Sequence, residues 1–600
     1  MKFAMLRLTT VAVLLAGAAG AHVGQHPSVH DTVAGAIDRM KQTIPHDALK
    51  ALNVEQVLGV LTADERRVLA TEHLSFDVNV PVDVYVVRDA ALGAEPFWLA
   101  QEAFQPTDLR LTVGGDPFDA WKKSFDAGHV GLGVNSLTGA GDHYFAVIAP
   151  RDANAVVEIA NIYPGRHTTG VLANGAQVYV DRDDLLAGEV PSPLDGALLL
   201  RGDNSRRKEA QLVNIFRVTP HPAGPRPDHV VLTWSADPKT TQAVQWRTNT
   251  ATKTGKVQYI EKAKFHRFRA EKPNMVGAAT AVLTNATLLN DTTVHRHTAV
   301  LTNLTPGTSY LYAVGDGSDD GWTELAEFTT APDRAVPFSF VYMGDAQNGL
   351  DRWGSLVHNA YRERPDAAFY VMAGDLVNRG AERDDWDSLF QNAQGVFDRR
   401  PLVPCLGNHE YQNNDPSLYL DQLALPTNGP AAIGPERAYS FEYSNALFVV
   451  LDSNQLPETQ TDWLDAQLAG SKATWKFVVY HHPAYSSSPK RDNPGLRKTW
   501  GAIFDKHHVD MALQGHDHAY LRTYPMKNEQ RVASPAEGTV YVISVSGTKF
   551  YDQGDLDYIE YGMTNVATYQ VLDIQISGDR LVYRAYDIDG NKRDELVIEK

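Results

Sequence analysis

Cysteine is almost absent from this chain of 600 residues, in which Cys405 is the only one. A single cysteine excludes an internal disulfide, so the fold must be stabilised by packing, by metal binding or by both. Cys405 lies in the apolar segment PLVPCLG, which predicts a small core residue in a buried strand rather than a reactive thiol.

Positive charge is also scarce. The chain has 55 Lys and Arg residues against 73 Asp and Glu residues, and its formal net charge is -18. A surface with this balance repels a phosphate backbone over most of its area, which argues against nucleic acid as a partner. A local cationic site remains compatible with this net charge.

Beyond the N-terminus, no run approaches the roughly 20 apolar residues that a membrane span requires, so we expect no span in the mature protein. Residues 1–21 read as an export signal, because Lys2 and Arg7 precede apolar residues 8–15 and small residues follow at 19–21. The alternative is that this N-terminal segment stays attached as an uncleaved membrane anchor. We predict a secreted or periplasmic protein that starts at His22.

The length predicts several domains, and the 43% of apolar residues can supply their cores. In residues 22–220, HDTVAGAIDRMKQTI and EQVLGVLTADERRVLA have helical spacing and predict one or two short helices. Runs such as FDVNVPVDVYVV and GALLL then predict a β-rich domain. This domain carries no chemical motif, so its role is not predicted.

The proline-rich segment HPAGPRPD predicts a linker, and VVLTWSA, AVQWRT and KVQYIE predict half-buried strands in a second domain, residues 226–332. From residue 337 to residue 600, apolar runs such as FSFVYM and KFVVY alternate with helical patterns such as DRWGSLVHNAYRE. This alternation predicts a layered α/β domain. Ligands in such folds bind where strands end.

Five of these apolar runs end in residues that can bind metals: Asp345, Asp375, Asn408 with His409, His481 with His482, and His516 with His518. Carboxylates, carboxamides and imidazoles together suit divalent or trivalent first-row metals. One Gly-Asp pair alone would indicate only a turn, so the ordered set predicts the metal centre. We expect the glycine before each ligand to permit a sharp backbone turn.

The motifs MGDAQ, AGDLVN, LGNHE, VVYHHP and QGHDH follow the order of the metallophosphoesterase motifs, and residues 226–600 resemble a purple acid phosphatase. Together with the β-rich front domain that the strand patterns predict, the resemblance indicates a multidomain fold. A β-rich N-terminal domain would precede a fibronectin III-like β-sandwich at 226–332 and an α/β four-layer (αββα) metallophosphoesterase domain at 337–600. It leaves residues 22–220 unexplained.

The same resemblance implies two metal ions, of iron, zinc or manganese. Asp345, Asp375 and His518 would hold the first ion, and Asp375, Asn408, His481 and His516 would hold the second. His409 would lie near the leaving oxygen of a substrate, either as its proton donor or as a hydrogen-bonding neighbour. His482 is expected to point away from the ions.

Two positions depart from the family pattern. Purple acid phosphatases have a metal-bound tyrosine where this chain has Asn378, and many other metallophosphoesterases have a histidine where it has Gln347. The first site therefore lacks one strong ligand, which should weaken its preference for ferric iron and remove the tyrosinate colour. Gln347, Asn378 or water could complete it, and we expect zinc, manganese or ferrous iron there.

The resemblance implies hydrolysis of phosphate monoesters by attack of a metal-bound hydroxide on phosphorus. A phosphodiesterase with the same metals and a surface-binding protein with a silent metal domain remain alternatives. Lys490, Arg491 and Arg497 could contact a phosphate, but the sequence favours a solvated charged loop. The sequence does not predict the oligomeric state, the pH optimum or the physiological substrate.

Overall fold

The structure, a computed structural model, describes residues 28–600 except 93–94, 183, 267–271, 412–415, 577–578 and the side chain of Lys490. The predicted export signal, residues 1–21, lies outside the described residues. The chain forms two compact units, Met1–Phe216 and Arg217–Lys600. None of the described helices has the length and apolar character that a membrane crossing requires.

The first unit begins with more helices than the sequence predicted. Its helices are α1 Val29–Thr43, α2 His46–Leu49, α3 Val54–Val60, α4 Ala63–Thr71 and α5 Phe97–Gln101. Asn53 and Thr62 start α3 and α4 with capping boxes, in which each side chain accepts a hydrogen bond from the third helical N–H. Each box starts a new helix, so the predicted helical segment is divided.

The rest of the first unit is β-rich, as predicted. Its strands are β1 Leu74–Val78, β2 Val82–Asp89, β3 Gln105–Val113, β4 Asp116–Phe125, β5 Gly128–Leu132, β6 Phe145–Pro150, β7 Ile159–Tyr163, β8 Thr169–Val171, β9 Ala187–Gly188 and β10 Leu198–Leu200. They form sheets in the orders β5-β1-β7 and β8-β10-β6-β2-β4-β3-β9. In β2, Val84 and Val86 enter one apolar core while Tyr85 and Val87 enter another. Burial on both faces explains its continuous apolar sequence.

The second unit starts with antiparallel strands. They are β11 Asp228–Thr233, β12 Gln242–Asn249, β13 Lys256–Glu261, β14 Asn274–Gly277, β15 Ala279–Thr284, β16 Thr293–Leu301, β17 Ser309–Gly315 and β18 Ala326–Thr329. The sheet orders are β11-β12-β16-β15 and β14-β13-β17-β18. Trp246 of the first sheet and Val257 and Tyr312 of the second share one buried core. The two sheets therefore bury one another's apolar faces.

The remainder of the second unit contains further strands and helices. The strands are β19 Phe338–Met343, β20 Tyr370–Met372, β21 Leu402–Pro404, β22 Tyr439–Tyr443, β23 Ala446–Val450, β24 Trp475–Val479, β25 Met511–Gln514, β26 Tyr520–Thr523, β27 Met526–Lys527, β28 Gln530–Arg531, β29 Val540–Ile543, β30 Ile559–Met563, β31 Thr568–Gln575, β32 Arg580–Asp587 and β33 Lys592–Glu599. The helices are α6 Leu350–Glu363, α7 Arg383–Asn392, α8 Ser417–Gln422, α9 Thr461–Gly470, α10 Pro494–Leu496 and α11 Ala502–His507.

These strands form two main sheets, in the orders β21-β20-β19-β31-β32-β33 and β22-β23-β24-β25-β29-β26-β30. The sheets meet through aromatic rings. Phe340 of the first sheet lies 5.1 Å from Phe448 and 5.3 Å from Phe477 of the second, both edge to face. Helix α6 packs on the first sheet, α7 packs against α6 and β11, and α9 and α11 pack on the second sheet.

Parallel pairing fixes where the strands end. Strands β19, β20 and β21 are parallel neighbours in the first sheet, and β23, β24, β25 and β29 are parallel neighbours in the second. The carboxyl ends of parallel neighbours meet at one edge of a sheet. The loops that carry the predicted ligands therefore leave each sheet at one edge.

Buried polar contacts join strands β11–β18 to the sheets that follow them. Arg247 of β12 donates to Asp387 of α7 at 2.6 Å and to Asp228 at 2.7 Å, and Arg247 and Asp387 are almost fully buried. Trp234 packs its ring on Phe369 and Phe441 at 5.4 and 5.3 Å. Strands β11–β18 are therefore part of the same folded unit as the sheets that carry the ligands.

We predict that Arg247→Met destabilises the second unit by about 3–5 kcal/mol, because it leaves two carboxylates without their buried partner. Lys262→Met is the matched control, since Lys262 pairs with Glu327 at the surface, and it should cost less than about 1 kcal/mol. Urea unfolding followed by tryptophan fluorescence measures both. Equal, small effects in the two variants would contradict the prediction.

Candidate metal centre

Both main sheets contribute to the candidate centre. Asp345, Asp375 and Asn408 follow β19, β20 and β21 of the first sheet, whereas His481 follows β24 and His516 and His518 follow β25 of the second. The six residues thus come from strand ends in different sheets. The centre lies where the two sets of strand ends converge.

Within the described residues, two groups of side chains have ligand atoms within 4.8 Å of one another: Asp345, Asp375 and His518, and Asp375, His481 and His516. Asp375 belongs to both groups. Asp345, Asp375, His481 and His518 are buried, and His516 is half-buried. One carboxylate thus lies between two clusters of donors, an arrangement suited to a bridging ligand.

Asn408 lies among the donors of the group that contains His481 and His516. Its Oδ1 lies 3.1 Å from Nε2 of His481 and 2.9 Å from Nδ1 of His516, and the two ring nitrogens are 3.2 Å apart. Oδ2 of Asp375 lies 3.2 Å from the same nitrogen of His481. Donors spaced about 3 Å apart fit an ion whose bonds are about 2.0–2.2 Å long.

Backbone carbonyls orient two of the imidazoles. Nδ1 of His481 lies 2.9 Å from the carbonyl oxygen of Ala373, and Nδ1 of His518 lies 3.1 Å from that of Lys549. A protonated Nδ1 donates to the carbonyl and leaves the lone pair on Nε2. In both residues Nε2 is the nitrogen that faces a carboxylate of the centre.

Four of the six residues adopt a left-handed backbone. The φ angle is 48° at Asp345, 51° at Asp375, 75° at His516 and 47° at His518. This conformation costs a residue other than glycine about 1–3 kcal/mol, and such residues cluster at functional sites. The fold therefore holds these candidate ligands in backbone conformations that they would rarely adopt in an unfolded chain.

The preceding glycines serve a different purpose from the one predicted. Among Gly344, Gly374, Gly407 and Gly515, only Gly374 has a positive φ. A Cβ on Gly407 would lie 2.3 Å from Oδ1 of Asp375, and one on Gly515 would lie 2.4 Å from Oδ2 of Asp345. Glycine is required at these positions because the loops of the centre approach one another closely. The left-handed turns after β19, β20 and β25 are made by the candidate ligand residues themselves.

Two buried oxygens show that the donor set suits a cation. Oδ1 of Asp345 and Oε1 of Gln347 have no hydrogen-bond partner among the described residues. Nε2 of Gln347 lies 3.0 Å from Nε2 of His518, so its amide adjoins the first group. Asn378 is exposed. Of the two residues that depart from the family pattern, Gln347 is therefore the buried one and the one that adjoins this group.

The centre has an asymmetric charge distribution. Burial raises the pKa of Asp345 well above its usual value. Burial, the largest single influence, acts against ionisation of Asp375, but the charge and hydrogen bond of His481 together with those of His409 outweigh it and lower the pKa of Asp375. Against burial, Asp375 raises the pKa of His481 to about 10. A metal ion that binds here would displace that proton, because ligating imidazoles are neutral.

Glu410 supports two loops of the centre, a role that its sequence motif did not predict. Its buried carboxylate accepts hydrogen bonds from the backbone N–H groups of Asp375 at 2.9 Å, Leu376 at 2.8 Å, Val377 at 3.3 Å and Gly407 at 2.8 Å. Burial and the neighbouring Asp375 raise the pKa of Glu410 to about 7. Glu410 thus joins the loops after β20 and β21. Its position in LGNHE, next to two predicted site residues, was the available signal.

The prediction of a solvated loop is wrong for Arg491 and Arg497. Arg491 donates to the buried Asp517 at 2.7 Å and to the carbonyl oxygen of His516 at 3.1 Å. Arg497 pairs with Asp492 and Glu529. Sequence alone could not show that the side chain of Asp517, which lies between His516 and His518, binds Arg491 in the loop after β24. Arg491 therefore holds the loop that carries His516 and His518.

His409 and His482 stand beside the grouped ligands. The backbone N–H of His409 donates to Oδ1 of Asp375 at 2.9 Å, and its Nδ1 lies 2.6 Å from the carbonyl oxygen of Asn378. The half-buried ring is thereby fixed next to Asp375. Nδ1 of His482 lies 2.9 Å from the hydroxyl of Ser453, so His482 bonds to that residue.

Comparison with known families identifies two segments. Residues 338–520 match the family model described as calcineurin-like phosphoesterase, and residues 227–330 match the one described as purple acid phosphatase, N-terminal domain. The matched segments contain every predicted ligand. The fold is thus a β-rich N-terminal region followed by a metallophosphoesterase domain.

Similar proteins include an uncharacterized protein of Mycobacterium tuberculosis, 28% identical over 282 residues that cover 40% of this chain and 52% of the relative. The Fe(3+)-Zn(2+) purple acid phosphatase 12 of Arabidopsis thaliana is 26% identical over 337 residues, 52% of this chain and 68% of that protein. The chain spans about half the length of the first relative. Among solved structures, a purple acid phosphatase from yellow lupin (Lupinus luteus) seeds has a TM-score of 0.54 and 14% identity, with coverages of 86% and 90%, which shows a shared fold.

We predict that Glu410→Gln lowers metal affinity about 10–100-fold, although Glu410 itself is not a ligand of the groups described. The amide NH2 of glutamine cannot accept the backbone hydrogen bonds that one carboxylate oxygen accepts, so a ligand loop loses its support. Zinc titration against a competing chelator measures the affinity. Glu442→Gln, at an exposed position, is the control. Unchanged affinity in Glu410→Gln would contradict this role.

Proposed function

We propose that the chain is an exported, metal-dependent hydrolase of phosphate monoesters, because residues 227–330 match the purple acid phosphatase N-terminal domain model and residues 338–520 match the calcineurin-like phosphoesterase model. The observation that carries the proposal is the pair of ligand groups that share Asp375. A carboxylate between two donor clusters is suited to a pair of ions. Export rests on the signal in residues 1–21 of the sequence.

We assign the first ion to Asp345, Asp375, His518 and the side-chain oxygen of Gln347, and the second to Asp375, Asn408, His481 and His516. Two bound ions would lower the pKa of a water and neutralise charge on the phosphoryl oxygens. Gln347 is a neutral oxygen donor, which favours zinc, manganese or ferrous iron over ferric iron in the first site. The exposed Asn378 supplies no tyrosinate.

His409 is proposed as the proton donor to the leaving alcohol. Its Nδ1 is occupied by the carbonyl oxygen of Asn378, which leaves Nε2 for a substrate, and no described residue takes a hydrogen bond from that nitrogen. The backbone bond to Asp375 holds the ring beside the shared ligand. An imidazole in this position can transfer a proton to an alkoxide oxygen as the ester bond breaks.

The finer architecture is part of the same proposal. We propose that β11–β18 form a fibronectin III-like sandwich and that α6 and α7, the two main sheets, and α9 and α11 form four layers (αββα). The shared core of β11–β18 and the packing of helices on each main sheet support it. Residues 22–220 would make a separate β-rich domain.

Asp375→Ala is expected to remove most of the activity and at least one metal ion, because it deletes the ligand common to both groups. Lewis-acid stabilisation is worth several kcal/mol, so the loss should reach about 10³-fold at about 1.36 kcal/mol per factor of ten. Elemental analysis and hydrolysis of p-nitrophenyl phosphate measure the two effects. The control is Asp366→Asn, an exposed residue that precedes β20. Parental activity and metal content in Asp375→Ala would refute the assignment.

His409→Asn is expected to lower kcat about 10²-fold or more on an alkyl phosphate while metal content is retained. The loss should be much smaller on p-nitrophenyl phosphate, because nitrophenolate leaves without a proton. Comparing kcat for glycerol 3-phosphate and p-nitrophenyl phosphate tests the role. Equal losses on the two substrates would show that His409 is only a hydrogen-bonding neighbour.

A further inference from the structure

Tyr551 forms one wall beside the first group of ligands. Its ring lies edge to face against the ring of His518, with centroids 4.9 Å apart. Its backbone N–H donates to the carbonyl oxygen of His518 at 3.0 Å, and the carbonyl oxygen of Lys549 faces Nδ1 of the same histidine at 3.1 Å. Residues 549–551 are therefore bound to a ligand of the centre along their backbone.

Two cations lie over the ring of Tyr551. The guanidinium carbon of Arg491 and Nζ of Lys549 are each 5.1 Å from its centroid. Cations are attracted to the electron-rich face of an aromatic ring. Given the contact between Tyr551 and His518, both cations lie within about 10 Å of the His518 ring, about one Debye length at 0.1 M salt.

The charges of the two cations are balanced differently. Arg491 is paired with the buried carboxylate of Asp517. Lys549 is exposed and forms no ion pair with any residue that the structure describes, including Asp552, Asp555 and Asp557 in the segment that follows it. Lys549 is therefore the uncompensated cation at this edge of the centre, in a chain whose net charge is -18.

We propose that Lys549 is a specificity-determining residue that binds a second anionic group, a carboxylate or a phosphate, on the alcohol part of the substrate. This inference rests on the proposed phosphoesterase function. The scissile phosphate would lie at the ions, and the second anion would lie over the segment 549–551. Tyr551 holds the ammonium group of Lys549 at this edge, which limits the rotamer entropy lost on binding.

Glycerol 3-phosphate and 3-phosphoglycerate test the inference, because they differ in a hydroxymethyl group against a carboxylate. In Lys549→Met, the ratio of kcat/KM for 3-phosphoglycerate to that for glycerol 3-phosphate should fall about fivefold, mainly through KM. Lys549→Arg should keep the ratio. Lys472→Met, an exposed lysine before β24 at the opposite edge of the sheet, should keep it too.

A fall of the same size for both esters in Lys549→Met would overturn the inference while leaving the phosphoesterase function intact. Failure of the parental, metal-loaded enzyme to hydrolyse either ester would overturn the proposed function, and this inference with it. Raising the salt concentration should lower the parental ratio toward that of Lys549→Met, since added ions screen an exposed charge. An unchanged parental ratio at high salt would also contradict the inference.

Discussion

The shared position of Asp375 is the constraint on which the rest of the structure depends. Its carboxylate belongs to both ligand groups, and it can do so only if strand ends of two different sheets converge around it. The aromatic contacts of Phe340 with Phe448 and Phe477 set the distance between those sheets. The core therefore determines the geometry of the centre.

Bringing these strand ends together has a conformational cost, which interactions of the neighbouring residues offset. Four candidate ligands adopt left-handed φ angles, and the glycines beside them leave room where a Cβ would collide with a neighbouring side chain of the centre. Glu410 ties the loops of the first sheet together, and Arg491 with Asp517 ties the loop of the second. The residues around the candidate ligands thus stabilise loop conformations that the candidate ligands alone would not maintain.

The sequence predicted the strands and their polar ends well, because runs such as FSFVYM and KFVVY are buried on both faces and stand out as β19 and β24. It could not predict contacts between distant segments. The roles of Glu410 and Asp517 depend on partners far along the chain, and the division into α3 and α4 depends on the caps at Asn53 and Thr62. Nor could it choose between Gln347 and Asn378, which only burial distinguishes.

The most direct measurement is anomalous X-ray diffraction from crystals of the metal-loaded protein, with data collected at the absorption edge of the metal supplied. If Asp375 is shared by two ions, the map will contain two peaks about 3.5–4 Å apart, one on each side of its carboxylate. A single peak, or two peaks that do not both contact Asp375, would contradict this shared role.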